Sequence, residues 1–515
     1  MGVEGSKEIN DLQHRQENQI MSKRLIVMKF GGTSVGSAER FRQCAEIVAG
    51  AARHDRIVVV VSAVAGVTDL IFRTIDAARR GDSVATEANL KQFEFIHQQL
   101  LAELFDRKPG LPGSAYKAVQ DFIADVFEQL RSSSRALLAL HSDVSAQTHD
   151  LLAGLGERIS ACMLAHCIQR MGTTSEFVRA ESMIVTDNNF GNAAPEMEAT
   201  AAACKSILLP ILERGAVPVV AGYSGATRDG QTTTLGRGGS DYSATIIGAA
   251  SGADEVWIWT DVNGVLSADP RICPDATTLK EISFAEAIEL AYYGAKVIHP
   301  KAAYPAMDAG VPVWIKNSFS PEAVGTKITQ AAAPFASPVK AVTCVNHATL
   351  LTLVTGREVH SAELFGRLFL RMGQERIDTL FATQSSPEHA LGLVLRREDG
   401  IRVLKLIQNI FRIELAQGVL NPVNVQDDIA VITVLGESMR GTPGIIGRVF
   451  SGVARENVSV IAVAQGASEL SICFAVPSIH CADIVRSVHN EFCSQADFAV
   501  AACVQPGVPM ASEIR

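Results

Sequence analysis

The sequence predicts an α/β protein, in which helices sandwich a parallel sheet, followed by two copies of a small α+β unit. Two observations predict this arrangement. Strand-like apolar runs alternate with long helical patterns as far as residue 330, as is typical of a parallel sheet covered by helices on both faces. The rest of the chain contains an internal repeat.

The first part supplies at least five strands and four helices. The predicted strands are Leu25–Met28, Ile57–Val61, Ala216–Val220, Glu255–Trp259 and Val311–Ile315. Apolar residues at helical spacing predict helices over Ala38–Gly50, Leu90–Phe105, Ala115–Leu140 and Asp150–Arg170. In sheets of this kind ligands bind beyond the carboxyl ends of the strands. The turns that follow these strands are therefore the expected places for binding residues.

The two copies of the repeat lie near Lys340–Phe411 and Asp428–Phe492, and their matching residues share one gap-free register. Gly366 pairs with Gly447, and Gln384 with Gln465, at one shift of 81 residues. Each copy predicts a strand, a glycine-containing turn, a helix and two more strands. The alternative, chance similarity of two amphipathic segments, explains a single register poorly. Residues 330–338 lack periodicity and are the predicted linker between the two parts.

Bulk composition excludes several classes of protein. At 515 residues and 47% hydrophobic content, the chain is long enough for several domains with sizeable cores. The net charge of −9 argues against nucleic acid as the main partner. No apolar run reaches the roughly 18 residues of a membrane span. Ten cysteines without Cys-x-x-Cys pairs predict buried thiols in a reducing, cytoplasmic compartment and no metal site.

Both ends of the chain lack periodic patterning. Residues 1–21 are polar and without an apolar core, which predicts a disordered extension and not a targeting peptide. Residues 505–515 contain two prolines and predict a flexible tail.

The turn Lys29–Ser34 is the most informative stretch of the sequence. It follows an apolar strand with two glycines, Gly31 and Gly32, and precedes a helical pattern. Because glycine has no Cβ, the backbone N–H groups of such a turn can closely approach a phosphate, beside the charge of Lys29. The alternative is an ordinary strand–turn–helix connection. The spacing of the P-loop is absent.

The segment Thr232–Asp241 is the second glycine-rich turn, and it precedes a small-residue helix predicted over Tyr242–Ser251. Arg237 offers a planar guanidinium suited to a carboxylate or phosphate. Ser240 can hydrogen-bond an anion at the helix start, and Asp241 can orient Lys29 or a metal. A surface loop with a capping Ser or Asp is the alternative.

Single residues elsewhere carry weaker signals. Glu157 is a candidate for binding an ammonium group, with a solvated helix charge as the alternative. Asp261, at the end of a predicted strand, is by itself more often a turn residue than a ligand. Ser62 and Thr68 can hydrogen-bond a small substrate or merely cap a turn. Arg271 and Lys296 add positive charge that can equally be solvated.

Taken together, these motifs resemble the aspartate kinases of the amino acid kinase family. The resemblance rests on Lys29–Ser34, Thr233–Asp241, Trp259–Val262 and Gly294–Val297, in that order. It spans nearly the whole chain, and the repeat looks like the family's tandem ACT regulatory domains. The implied organisation is a catalytic domain over 22–330, a first ACT domain over 339–415 and a second over 424–495.

The resemblance implies transfer of the γ-phosphoryl group of ATP, accompanied by Mg²⁺, to the β-carboxylate of L-aspartate. The implied catalytic residues are Lys29 and Asp241. The implied nucleotide site comprises Lys29, Gly31, Gly32, Thr260, Asp261, Arg271, Lys296 and Val297. The implied aspartate site comprises Ser62, Thr68, Glu157, Tyr223, Arg237, Ser240 and Asp241. Leu266 departs from the tyrosine common in the family's nucleotide segment.

The resemblance also implies feedback regulation. Gln384 and Gln465 stand in contexts similar to the threonine-binding glutamines of bifunctional aspartate kinase–homoserine dehydrogenases, although both can merely satisfy strand-edge backbone. Threonine, lysine or both fit an ACT pair, and such pairs imply a homo-dimer or higher homo-oligomer. Since the sequence ends about twenty residues after the second repeat, we expect a monofunctional enzyme. A non-catalytic amino-acid sensor and another carboxylate kinase are the alternatives.

Overall fold

The computed structural model describes residues 23–105, 114–140, 143–295, 297–333, 335, 337–356, 361–385 and 390–493. The chain divides into two compact units. The first comprises Met1–Val265, Lys280–Phe284 and Ile298–Ala331, and the second comprises Leu266–Leu279, Ala285–Val297 and Ala332–Arg515. Two segments of the predicted catalytic domain thus group with the second unit. The predicted extension at 1–21 and tail at 505–515 lie outside the described residues.

The first unit is built on an eight-stranded sheet with the order β3-β5-β2-β1-β8-β10-β11-β9. All its neighbouring strands are parallel except β10 and β11. The strands are β1 (Leu25–Phe30), β2 (Arg56–Val61), β3 (Ser175–Val178), β5 (Val217–Ala221), β8 (Glu255–Thr260), β9 (Glu281–Ser283), β10 (Val313–Asn317) and β11 (Thr326–Thr329). All five predicted strands are confirmed. Most of their ends differ from the predicted ends by one or two residues.

A small second sheet, with the order β4-β6-β7, lies in the same unit. Its strands are β4 (Val185–Thr186), β6 (Ser224–Thr227) and β7 (Thr232–Thr234). The helices that begin in this unit are α1 (Ala38–Ala52), α2 (Val67–Arg79), α3 (Ser83–Leu104), α4 (Ser114–Leu140), α5 (Ala146–Ala153), α6 (Leu155–Arg170), α7 (Met197–Glu213), α8 (Gly239–Ser251), α9 (Phe284–Tyr292) and α10 (Pro300–Ala309).

Helices cover both faces of the large sheet, as predicted. On one face, Met28 and Phe30 of β1 share an apolar core with α1, α2, α3, α4 and α6. On the other face, α8 packs on β1 and β8, and α10 packs on α8. The helix predicted over Asp150–Arg170 is two helices, α5 and α6, separated by Gly154.

The stretch Ala146–Arg170 is long and apolar enough, by length and composition alone, to span a membrane. The expectation concerned an uninterrupted apolar run, and Asp150, Glu157 and Arg158 interrupt this stretch. In addition, 89% of its apolar window is buried within the structure, as is typical of a core helix. The eight described cysteines that are identified as free thiols include seven buried ones, in line with the expected buried thiols.

The second unit contains both copies of the repeat in one antiparallel six-stranded sheet, with the order β13-β14-β12-β15-β17-β16. The strands are β12 (Ala341–Val354), β13 (Phe381–Ser385), β14 (Ala390–Arg396), β15 (Asn424–Leu435), β16 (Ala462–Gln465) and β17 (Ser471–Pro477). The helices are α11 (Ser361–Gln374), α12 (Arg397–Ile410), α13 (Arg412–Ala416), α14 (Ile445–Arg455) and α15 (Cys481–Cys493). Each copy follows the predicted order and ends in a further helix.

The two copies share their long strands. The start of β12 (Ala341–Val345) pairs with the end of β15, whereas the rest of β12 pairs with both β14 and the start of β15. The register shifts between Val345 and Ala348, where His347 adopts a positive φ of 55°. The outer strands β13 and β16 also approach each other, and Phe381 and Ala464 belong to one apolar cluster between them. The described residues between β11 and β12 form no helix or strand, as the predicted linker requires.

A buried ion pair fastens the α9 segment to the shared sheet inside the second unit. Lys340 Nζ lies 2.8 Å from Glu286 Oε2, and the two side chains are 2% and 0% exposed. The other carboxylate oxygen of Glu286 accepts a hydrogen bond from the Glu437 N–H at 2.8 Å. Because both charges are desolvated, each depends on its partner.

We expect Lys340→Met to destabilise the second unit by about 3–5 kcal/mol, since it leaves the Glu286 carboxylate buried without its counter-charge. Hydrogen exchange of the β12 and β15 amides measures this loss. The control is Lys405→Met, which removes an exposed lysine of α12. The double variant Lys340→Met/Glu286→Leu should recover most of the loss. If the β12 and β15 amides exchange equally fast in Lys340→Met and Lys405→Met, the Lys340–Glu286 ion pair does not stabilise the second unit.

Candidate active site

Lys29 lies near the carboxyl end of β1, at the point where the order of strands reverses. β1 is flanked by β2 on one side and by β8 on the other, and all three strands are parallel. Such a switch point is where open α/β sheets bind ligands. Only 7% of Lys29 is exposed, and its Nζ lies 2.6 Å from Asp241 Oδ1, although without the alignment of a hydrogen bond. The ion pair offsets the cost of burying the ammonium.

The Gly31–Gly32 turn leaves the sheet beside the β2 end. A Cβ atom on Gly32 would lie 2.8 Å from the carbonyl oxygen of Ala63, so this position excludes a side chain. The Gly31 N–H, predicted to serve as a phosphate donor, donates to the Trp259 carbonyl at 3.3 Å. α1 begins at Ala38, where the Ser37 hydroxyl accepts from the Arg40 N–H. Its start therefore lies several residues beyond the turn.

The second glycine-rich turn lies at the start of α8. α8 begins at Gly239, three residues earlier than predicted, so Ser240 and Asp241 belong to its first turn. Ser240 Oγ lies 2.6 Å from Ser62 Oγ, which joins this turn to the end of β2. Gly238 has a positive φ of 71°, a conformation that favours glycine. Arg237 is exposed, and within the described part of the chain its guanidinium makes no ion pair.

Glu157 lies in the first turn of α6 and is 5% exposed. Burial raises the pKa of its carboxyl from the ordinary 4.5 to about 7, although the backbone of Ala63 and the charge of Lys29 both favour ionisation. Among the described residues its Oε2 has no hydrogen-bond partner. A buried acceptor of this kind suits a ligand that brings its own donor.

Tyr223 and Thr68 complete the surroundings of these groups. Tyr223 has a positive φ of 74°, which is rare for a residue with a Cβ. Its N–H donates to Ser243 Oγ at 2.9 Å, its carbonyl accepts from the Leu235 N–H at 2.9 Å, and its ring lies against Gly239. Burial raises the pKa of its hydroxyl to about 12. Thr68 is half-buried in the first turn of α2.

The predicted nucleotide-site residues fall in different parts of the chain. Thr260 ends β8, and its hydroxyl lies 3.2 Å from a carboxylate oxygen of Asp261. Arg271 belongs to the second unit, where it forms an ion pair with Asp269 at 2.6 Å. Val297 is also part of that unit, and Lys296 lies outside the described residues.

The two repeat glutamines occupy equivalent places in the second unit. Gln384 lies in β13 opposite Leu391, and Gln465 lies in β16 opposite Ile472. These partners are again 81 residues apart. Both glutamine side chains are exposed. The structure therefore places the repeat in register at the level of single strand pairs.

Three polar residues that contribute to the site were missed from the sequence. Ser318 Oγ lies 2.8 Å from Ser34 Oγ and donates to the Thr260 carbonyl at 3.0 Å, which joins β10 to the first turn. Lys301 Nζ donates to Asn192 Oδ1 at 2.8 Å and to the Leu235 carbonyl at 3.3 Å. Asp150 accepts from Thr234. Each lies within an ordinary helix or turn pattern, so the sequence offers no signal to separate it from solvated residues.

Comparison with known proteins places this geometry in a family. The sequence model of the amino acid kinase family matches residues 24–317, and an ACT domain model matches residues 432–492. A bifunctional aspartokinase/homoserine dehydrogenase of Buchnera aphidicola is 27% identical over 465 residues, which are 90% of this chain and 56% of the relative. The chain thus spans just over half the length of that relative.

A shorter relative matches over nearly its whole length. Lysine-sensitive aspartokinase 3 of Escherichia coli is 29% identical over 469 residues, which are 90% of this chain and 98% of the relative. The crystal structure of E. coli aspartokinase III in complex with aspartate and ADP superposes with a TM-score of 0.74 at 28% identity. It covers 91% of this chain and 99% of that chain.

We expect the stability of the first unit to fall as pH rises, because Glu157 is protonated in the folded state up to about pH 7 and in the unfolded state only to about pH 4.5. Below pH 4.5 the penalty is absent. It develops between pH 4.5 and 7 and reaches about 3 kcal/mol above that window. Glu157→Gln removes this penalty. The stability of the variant relative to wild type should therefore increase with pH.

Urea unfolding followed by tryptophan fluorescence at pH 5 and pH 8 checks this expectation, since Trp257, Trp259 and Trp314 all belong to the first unit. Glu87→Gln, at an exposed position of α3, is the control. If the stability difference between Glu157→Gln and wild type is the same at both pH values, Glu157 is ionised in the folded state throughout.

Proposed function

The chain belongs to the amino acid kinase family, and from this membership we propose that it is an aspartate kinase. The proposed reaction transfers the γ-phosphoryl group of ATP to the β-carboxylate of L-aspartate. The observation that carries the proposal is the buried Lys29–Asp241 pair at the switch point of the sheet. We assign Glu157 and Arg237 to the binding of the amino acid. The likeness to E. coli aspartokinase III over nearly its whole length supports the same reaction.

The chemistry requires charge stabilisation more than proton transfer. The β-carboxylate is already an anion, so one of its oxygens can attack the γ-phosphorus while the bond to the ADP oxygen breaks. Lys29 is the positive charge available to stabilise the phosphoryl oxygens during transfer. Asp241, 2.6 Å away, supplies the counter-charge of the ammonium. No general base is needed in this scheme.

Each charged group of aspartate would be bound by a side chain of the opposite charge. The guanidinium of Arg237 can bind a carboxylate through two parallel hydrogen bonds. The Glu157 carboxylate, with its unused buried oxygen, would bind the α-ammonium. The remaining substrate contacts are assigned to Ser62, Thr68, Tyr223 and Ser240. Bringing a cation to Glu157 favours its ionised form and lowers its pKa from the raised value of the free protein.

ATP is proposed to bind at the Gly31–Gly32 turn and the end of β8. The residues assigned to nucleotide binding are Lys29, Gly31, Gly32, Thr260, Asp261, Arg271, Lys296 and Val297. Mg²⁺ would accompany the nucleotide, bound mainly by phosphate oxygens and water as is usual for this ion. Asp241 is the carboxylate beside Lys29 that is available to such a cation. The ADP named in the E. coli complex supports a nucleotide site.

The second unit is proposed to sense an amino-acid end product. We assign the catalytic domain to 22–330 and the ACT domains to 339–415 and 424–495, with Gln384 and Gln465 as effector contacts. The lysine sensitivity of E. coli aspartokinase 3 favours lysine, and the glutamine contexts favour threonine. A homo-dimer or higher homo-oligomer formed through the ACT domains, in the cytoplasm, is the proposed state.

A hydroxamate assay with ATP, Mg²⁺ and L-aspartate tests the proposed function directly. Purified full-length protein should form aspartyl hydroxamate in the presence of hydroxylamine, because the product is an acyl phosphate. Absence of turnover, with or without lysine and threonine, would refute an aspartate kinase. Nucleotide binding without turnover would indicate a sensor, and activity with another carboxylate acceptor would indicate a different kinase of the family.

Lys29→Met should lower kcat by about 100- to 1,000-fold, since it removes a charge that stabilises the transition state. Tryptophan fluorescence during urea unfolding shows whether the variant still folds. The control is Lys327→Met. Lys327 lies in β11, three strands away from β1, and its ammonium lies over the ring of Trp314 in β10. Turnover near that of wild type in Lys29→Met would remove Lys29 from the mechanism.

Gln384→Ala and Gln465→Ala should each weaken inhibition by the effector without lowering kcat, because both residues lie in the second unit. Inhibition is titrated with lysine and threonine, alone and together. Gln374→Ala, at the end of α11, is a matched control in the same unit. Unchanged inhibition in both repeat variants would exclude the two glutamines as effector contacts.

A further inference from the structure

Asp150 of α5 is fully buried and receives three hydrogen bonds. Its Oδ2 accepts from the Thr234 N–H at 2.7 Å and from the Gly191 N–H at 2.8 Å, and its Oδ1 accepts from the Thr234 hydroxyl at 2.9 Å. A buried carboxylate is tolerated when its oxygens are satisfied in this way. None of the proposed catalytic or binding roles uses Asp150.

The contacts continue from Thr234 to the backbone of Tyr223. The hydroxyl proton of Thr234 is donated to Asp150. Thr234 pairs with Ser224 across β6 and β7, and the next N–H, that of Leu235, donates to the Tyr223 carbonyl at 2.9 Å. Asp150 is therefore linked through Thr234 and this strand pair to Tyr223.

This chain of hydrogen bonds lies between the two proposed substrate anchors. Thr234 ends β7, three residues before Arg237. The Tyr223 ring lies against Gly239, where a Cβ atom would be only 2.5 Å from ring carbon Cδ2. On the other side, α5 is separated only by Gly154 from α6, which carries Glu157. Asp150 thus joins the helices that carry Glu157 to the turn that carries Arg237.

We propose that Asp150 is a positioning residue that fixes the Arg237 turn relative to Glu157 through Thr234 and Tyr223. It sets the affinity for L-aspartate without touching the substrate. This inference rests on the proposed function for the identity of the substrate, whereas the ordering of the turn is independent of it. An amide in place of the carboxylate removes the negative charge, and its NH₂ group faces either the two N–H donors, which cannot accept, or the Thr234 hydroxyl, which must then reverse its hydrogen bond.

The first test compares Asp150→Asn with wild type in steady-state kinetics. KM for L-aspartate should rise roughly tenfold or more, as expected when hydrogen bonds to a buried charge are lost. We expect kcat and KM for ATP to change less than about threefold. The control is Asp254→Asn, which removes a carboxylate that accepts from the Leu25 N–H at 2.7 Å at the opposite, amino end of β1. A fall in kcat of about tenfold, with an unchanged KM for L-aspartate, would overturn the proposal.

The second test uses Thr234. Thr234→Val keeps the shape of the side chain but removes the hydroxyl, and it should raise the aspartate KM as Asp150→Asn does. Thr234→Ser keeps the hydroxyl and should restore most of the lost affinity. A serine variant as impaired as the valine variant would show that packing, and not the hydrogen bond, matters.

The third test needs no enzymatic activity. Hydrogen exchange of the Gly191, Thr234 and Leu235 amides should be faster in Asp150→Asn and Thr234→Val, with β1 amides unchanged. Unchanged exchange at those three amides would overturn the positioning role even in an active enzyme. Wild-type protein that fails to phosphorylate aspartate while its variants show the faster exchange would refute only the proposed substrate.

Discussion

The ion pair between Lys29 and Asp241 is the interaction around which the candidate site is organised. A lysine in the central strand of an eight-stranded sheet is desolvated and needs a counter-charge, and the first turn of α8 supplies it at 2.6 Å. That requirement brings the turn after β1 and the turn before α8 together. The hydroxyl contact between Ser62 and Ser240 adds the end of β2 to the same edge of the sheet.

Around this pair, charge and burial divide the site into groups with different tasks. Lys29 is buried and paired, whereas Arg237 is exposed in a turn. Glu157 is buried deeply enough that its pKa rises to about 7, and its Oε2 has no partner among the described residues. An amino acid with an ammonium and carboxylates would supply the missing partners. The polar groups that the fold leaves unsatisfied are thus compatible with the proposed substrate.

The second unit depends on a related constraint. Lys340 and Glu286 are buried together, so the α9 segment is held to the shared sheet by charges that neither side can lose alone. The long strands β12 and β15 serve both copies of the repeat, which makes the two copies one folded body. Residues from the middle of the chain therefore belong to the unit that carries Gln384 and Gln465.

The order of elements could be predicted from the sequence, as could the five buried strands, the internal repeat and the glycine-rich turns, because periodicity and glycine spacing are local properties. The sequence did not reveal the break of the long helix at Gly154 or the earlier start of α8. It also did not reveal that the two repeats share the long strands β12 and β15. It also could not identify Asp150 or Ser318. Their importance comes from partners up to 284 residues away, and only tertiary packing decides which distant polar atoms share a buried space.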